Sequence, residues 1–378
     1  MAGKSKSKTG ILLKLVFGLN IIFALLLACS CLAPFISPEK IWFFAFAGLA
    51  YQPLALINLG FVIFWLIFKR IYLLLSLIML MAGYNHVRSH FQFRETTGKP
   101  EKGSYTRVLS YNVRNFDIYN VDKKWKHDFT NRNRIFTFIK DQMPDIICFQ
   151  EFVNDLSGTF KTLDTLVQFQ KAKYCHAEYK ITSRNINQFG IATFSAYPIV
   201  NKGKIDFPWS RSNLCIWTDV LIGKDTVRIY NAHFESIRLS KEETELAENP
   251  GTVSENKDNE ALKRTTKKMF DYMKAAYKRR SREAEMVSDH ILNCHFPVIL
   301  CTDLNDTPCS YAYHHISHSL TDAFVRSGSG TGSSYPGFPL PFRIDYIFYS
   351  DPFSAINFKT HKLMYSDHYP ITCDFVKD

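Results

Sequence analysis

Ten side chains able to bind a cation, move a proton or hold an anion sit at or beside apolar, strand-like runs in residues 105–378. Asn112 follows RVLSY, and Glu151 closes the run Ile146–Gln150. Asn231 and His233 follow VRIY, and Asp303, Asn305 and Asp306 follow PVILCT. Asp345 lies inside RIDYIF, and Asp367 and His368 precede YPITCDF. One polar residue closing a strand is usually a cap, but a whole series rich in carboxylate, amide and imidazole suggests a shared task. A hard cation such as Mg²⁺ takes carboxylate and amide oxygens and keeps several waters. It can polarise a phosphoryl oxygen and stabilise a leaving group. A histidine held in one tautomer by a carboxylate can activate water, and a second imidazole with neutral amides can stabilise transition-state charge.

Short β-rich runs alternate with helical patterns after residue 104, which predicts a layered α/β domain. Residues 132–142 and 258–293 are the clearest helices. In the second, Phe270, Met273, Tyr277, Ala284, Val287 and Ile291 recur at helical spacing. The polar stretch 88–104 reads as a linker. Residues 241–256 are acidic and polar and read as a loop; 257–282 carry ten Lys/Arg against three Asp/Glu. A solvated helix face pairing with that loop is the plainer account of this basic run, and a surface for polyanions or lipid head groups the sharper one. The Gly/Ser stretch 327–334 lacks the helix and Lys of a P-loop and reads as a loop shaping the substrate entrance. His314, His315 and His318 read as exposed, Asp306 as a cap beside Pro308, and Ser195 and Pro198 as structural.

The first hundred residues are of another kind. Runs at 11–36, 41–68 and 71–85 are apolar, and a helix needs about 20 such residues to cross a bilayer. Two or three transmembrane helices are therefore expected within a membrane region 1–87, in contact with lipid. Lys4, Lys6, Lys8 and Lys14 place the N-terminus in the cytoplasm, and Lys69–Arg70 fit a cytoplasmic turn. Three crossings then put the C-terminal domain outside the cytoplasm, against which Arg88, Arg94, Lys99 and Lys102 weigh. Leu26-Leu27-Ala28-Cys29 resembles a lipoprotein processing site, though a chance cysteine in an apolar helix is the plainer account. Two or three helices with no intramembrane acid offer no translocation path, which weighs against a transporter.

Charge follows the same division. Residues 1–100 carry ten Lys/Arg against two Asp/Glu, eight of the net +11, so the basic pI of 9.1 says little about nucleic acid. Nucleic acid remains an allowed partner that charge does not favour. The nine cysteines lack zinc spacing, and buried thiols are the plain reading.

Taken in order, SYNVRN (110–115), QE (150–151), NAHFES (231–236), TDLNDTP (302–308), RIDYIF (343–348) and SDHYPI (366–371) resemble the endonuclease/exonuclease/phosphatase superfamily with the DNase-I-like fold. The resemblance covers about residues 105–376, and its motifs are specific as a set. It implies an α/β four-layer sandwich, two packed mainly antiparallel sheets flanked by helices. It also implies metal-dependent hydrolysis of a phosphodiester or phosphomonoester with Mg²⁺ or Mn²⁺. By the resemblance Glu151, Asn112 and Asp367 hold the metal. Asp303 and Asn305 position water and phosphate, Asn231 and His233 contact the phosphate, and His368, oriented by Asp345, is the catalytic imidazole. Water activation by Asp303 instead stays open. Thr302 departs from the family's usual Gly before the Asp. The reading from another class is a catalytically silent scaffold on the same fold.

Overall fold

Long apolar runs have no backbone partners in lipid except their own, so they fold as helices. In the computed structural model, which describes residues 2–101, 103–121, 126–169, 173–237, 259–337 and 341–377, α1 covers Ala2–Leu32. The second run is not one helix. It divides at Ala50 into α2 (Phe43–Leu49) and α3 (Tyr51–Phe68). The third gives α4 (Leu73–Ala82) and α5 (Tyr84–His90), meeting at Gly83. Gly10–Phe35 and Tyr51–Phe68 are long and apolar enough to cross a membrane, and the bent pair Arg70–Ala82 and Tyr84–His90, 59° apart, makes a third if it acts as one span. The expected span 41–68 is thus shortened to α3, because α2 turns away to lie on the domain that follows. Buried amides fasten the three helices: Trp65 donates to Asn20 (2.9 Å), Asn20 to Ser76 (2.6 Å) and Ser76 to Asn58 (2.8 Å). Buried between the helices, such bonds hold helix register.

Among the described residues twelve strands follow in two sheets: β1 (Tyr105–Asn112), β2 (Ile146–Asp155), β3 (Tyr174–Ser183), β4 (Asn187–Ser195), β5 (Ile199–Asp206), β6 (Leu214–Ile222), β7 (Asp225–His233), β8 (Val298–Asp303), β9 (Thr321–Asp322), β10 (Asp345–Tyr349), β11 (Phe353–Thr360) and β12 (Ile371–Lys377). The orders are β11-β12-β1-β2-β4-β3 and β5-β6-β7-β8-β10-β9. Directions match too. Each sheet has one parallel pair, β1 with β2 and β7 with β8, among antiparallel neighbours. A parallel pair requires a crossover, and α6 (Thr130–Gln142) and α8 (Asn259–Leu292) supply the two long ones. Shorter helices α7 (Leu163–Phe169), α9 (Tyr311–Ser317) and α10 (Ala323–Ser327) complete the domain.

Alternation along the central strands builds three apolar layers. Val108, Ile146, Cys148, Ile229, Ile299, Cys301, Ile347 and Cys373 face one another between the sheets. Ile135 and Ile139 of α6 cover Leu109, Ile147 and Phe149 on one outer face. Ala284, Val287 and Ile291 of α8 cover Tyr230, Leu300 and Phe348 on the other. Each large apolar side chain so buried contributes roughly 2 kcal/mol. Helix, sheet, sheet and helix form the four-layer sandwich. All nine cysteines are free, five of them buried.

The helical region is docked onto this sandwich. Phe46 of α2 stacks on Phe270 of α8 at 4.6 Å, with Trp42 edge-on at 5.0 Å. A side chain at Gly48 would collide with the Cys309 carbonyl and Ala33, so the approach requires glycine. Arg343 donates to the Ser89 carbonyl at the end of α5 (2.6 Å). The polar stretch after α5 lies along the domain: Gln92 bridges Gly330, and Thr96 N donates to Ser327 O. The acidic loop 241–256 lies outside the described residues.

Candidate active site

At one end of the sandwich the inter-sheet positions change from apolar to polar. In β1 the series runs Val108, Ser110, Asn112; in β2 Ile146, Cys148, Gln150; in β7 Ile229, Asn231, His233; in β8 Ile299, Cys301, Asp303. Asp345 begins antiparallel β10 directly opposite Asp303. Because both parallel pairs end here, four strands deliver polar groups to one mouth.

The upper level is a connected cluster. Asn112 Nδ2 donates to Asp303 Oδ2 at 2.8 Å, linking residues of the two sheets. His368 Nδ1 donates to Asp345 Oδ2 at 2.8 Å, and its Nε2 stands 3.8 Å from Asp303 Oδ2. His233 Nε2 is 3.6 Å from Asp303 Oδ2 and 3.8 Å from Glu151 Oε1. Asn305, at φ 53°, donates its backbone N–H to Asp303 Oδ1 (2.9 Å) and its side-chain amide to Phe234 O (3.0 Å). Ser334 Oγ accepts the backbone N–H of Asp345 (3.0 Å), which gives the Gly/Ser stretch a supporting role at the site.

Glu151 reaches the mouth through an irregularity. Simple alternation would point it with Phe149 toward α6. The β2–β4 register shifts between Phe149 and Phe152, and Glu151 takes φ 50°, so Phe149 and Phe152 both stay in the apolar layer while Glu151 turns to the cleft. Asp367 stands on the rim 3.6 Å from Arg114 Nε. Arg114 opens a run of four left-handed residues, Arg114–Asp117, whose unfavourable backbone is held directly beside the cluster.

Burial and neighbouring charge set the proton affinities. Burial pushes the Asp303 carboxyl up to about 6, with Asp345 adding to the rise and His368 and His233 opposing it. Burial alone would lower His368, but the Asp345 and Asp303 carboxylates outweigh it and raise the imidazole to about 10. Burial raises Glu151 as well, and the negative charge of Asp367 raises it further. The Glu151 and Asp367 carboxylates, beside an Asn112 amide oxygen with a second lone pair, form a donor set suited to a hard divalent cation. Asp303, Asp345 and His368 also lie close enough to share an ion, all their ligand atoms being within 4.8 Å. There, however, His368 is already bonded to Asp345, and a protonated imidazole has no lone pair to offer.

Asn231, expected to contact the phosphate, has its amide engaged within the sheets. Its Nδ2 donates to the carbonyls of Phe149 (3.1 Å) and Ala192 (3.0 Å), and its Oδ1 accepts from Gln150 (2.8 Å). It lies one level below His233 on the same face of β7, fully buried, and ties β7 to β2 and β4. Asp306 caps Thr307 N as expected, but it also pairs with Arg280 (2.8 Å) in full burial. Three contributors escaped the sequence reading. Arg114 lies in a quoted motif, Gln150 supports Asn231, and the Tyr335 ring sits 5.2 Å from His368. Two clefts of about 360 and 390 Å³ flank the cluster, one lined by Arg114, Tyr335 and Asp367, the other by Tyr119, Glu151 and His233.

The sequence matches the model of the endonuclease/exonuclease/phosphatase family over residues 109–368, more than half of the chain. The chain belongs to this family. Residues 13–90 match a domain model of unknown function. No curated protein matches the sequence. Solved structures share the family's fold. A Bacteroides vulgatus endonuclease/exonuclease/phosphatase is 16% identical, with 72% of this chain and 99% of that chain covered at a TM-score of 0.51. The human Nocturnin catalytic domain with bound sulfate is 18% identical, covering 77% and 98% at 0.50. At such identities the likeness is one of fold, and it agrees with the sandwich described above.

Proposed function

We propose that this protein is a membrane-anchored phosphoester hydrolase that depends on a divalent cation. The observation that carries the reading is the buried chain Asp345–His368–Asp303, set beside Glu151 and open to two clefts. Glu151, Asn112 and Asp367 would hold Mg²⁺ or Mn²⁺, which supplies electrostatic stabilisation of phosphoryl charge. Asp303, poised near neutrality, is the base that takes a proton from the attacking water, with the Asn305 N–H fixing the orientation of its carboxylate. His368, cationic at neutral pH and held by Asp345, stabilises charge on the phosphoryl oxygens, as does His233 from the other side. Arg114 at the rim offers a further cation for the phosphate. A silent scaffold gives no reason to bury two carboxylates and an imidazole in mutual contact.

The anchor is the three-helix region. Its basic end, Lys14 with Lys69 and Arg70, lies at the α3–α4 turn, where Phe17 stacks on Tyr72 at 4.1 Å. The docked catalytic domain lies at the opposite end, with its Cys309 against Gly48 and its Arg343 on Ser89. With basic residues on the cytoplasmic side, this supports an extracytoplasmic domain. The test of function is turnover of a soluble phosphodiester and a phosphomonoester by the full chain with Mg²⁺ or Mn²⁺. Activity is expected with the ions and none with EDTA; hydrolysis that persists in EDTA overturns the reading.

A further inference from the structure

A cleft of about 350 Å³ opens where the helical region meets the catalytic domain. Phe35 comes from the turn after α1, His86 and Arg88 from α5, and Pro308, His314 and Ser317 from the domain. Among the described residues, no Asp or Glu lines it and Arg88 is paired with no carboxylate. The His314 ring packs on Phe35 at 4.7 Å, so the histidine expected to lie free on the surface is part of this junction.

The depth of the cleft identifies its occupant. Phe35 ends the candidate span Gly10–Phe35 and is 62% exposed. Phe43, Tyr84, Phe91 and Phe93 are exposed at the same end of the helices, Phe93 by 87%. Exposed aromatic rings gathered at one end of apolar helices mark the head-group level of a bilayer. A guanidinium and imidazoles free of acids suit a phosphate there, and the apolar face of α1 below Phe35 suits an acyl chain.

We propose that this cleft binds the phosphate of an anionic membrane phospholipid. The head group would sit between α5 and α9, bridging the anchor and the domain beside Pro308, in the loop that leaves Asp303. This inference does not depend on the hydrolytic reading, and its test needs no turnover.

The full chain is taken into micelles holding equal phosphatidylglycerol and phosphatidylcholine, and retained lipid is read by native mass spectrometry. Retention of phosphatidylglycerol over phosphatidylcholine is expected. The double substitution R88Q/H314Q lowers that retention by about an order of magnitude, whereas Arg88→Lys keeps most of it. A control, K267Q/K268Q, removes charge from exposed α8 and leaves retention unchanged. Far-UV circular dichroism establishes that the variants are folded. Equal retention of both lipids, undiminished binding by R88Q/H314Q, equal loss in the α8 control, or replacement of the lipid by millimolar inorganic phosphate overturns the proposal.

Discussion

His368, in the loop before β12, and Asn231, on an inward-facing position of β7, show how differently two buried polar residues can act. His368 is raised to about 10 by Asp345 and Asp303 in spite of burial. A histidine whose folded value lies above its unfolded value of about 6.5 stabilises the fold fully below 6.5, and that stability is lost as pH rises through about 10. In EDTA, the melting temperature of the wild type should fall across this window more steeply than that of His368→Gln; parallel curves would refute the pairing. Asn231, by contrast, holds β7 to β2 and β4. Asn231→Ala leaves Gln150 and two carbonyls unsatisfied, at a cost of about 1–3 kcal/mol. Chemical denaturation should show that loss while kcat of the folded fraction stays near wild type. A large fall in kcat with unchanged stability would return Asn231 to the reacting centre.

At the scale of elements, α8 carries the loops that position the site. Arg280 is buried, pairs with Asp306 (2.8 Å), and donates to the Glu235 carbonyl through Nε (3.0 Å) and a terminal nitrogen (2.9 Å). It thereby joins the segment after His233 to the segment after Asp303. Removing one partner of a buried pair typically costs about 3–5 kcal/mol. Arg280→Met should destabilise the protein by that order in urea unfolding, and an effect below about 1 kcal/mol would mean that Asp306 finds another partner. The element scale is also where the sequence was least legible. The central strands were readable because their apolar runs end abruptly in polar groups. The edge strands β3 and β11 were not, because YCHAEYKITS and FSAINFKT mix exposed and buried positions without a long apolar run. Nothing in the local pattern at Glu151 signals the bulge that turns it, and the Asn112–Asp303 bond joins residues 191 positions apart. The break at Ala50 was hidden for a related reason: the residues on both sides of it are apolar, one set in a helix long enough to span a membrane and the other packed on α8.

For the whole molecule, two sheets with the same pattern of parallel and antiparallel neighbours bring their parallel pairs to one mouth, while the helical region grips the domain through α2, α5 and the loop at Cys309. The positions of the basic and docked ends give a clear expectation for sidedness. On intact cells, a cysteine introduced at exposed Lys359, in β11, should react with a membrane-impermeant thiol reagent, and one at Lys69 should not. The reverse pattern would place the catalytic domain inside.

The central claim is chemical, and kcat of His368→Ala on a soluble phosphoester in saturating Mg²⁺ or Mn²⁺ tests it most directly. Loss of a buried imidazolium held by Asp345 is expected to lower kcat by about 10²–10⁴ with the fold intact. A folded His368→Ala protein turning over within about twofold of wild type would contradict the account.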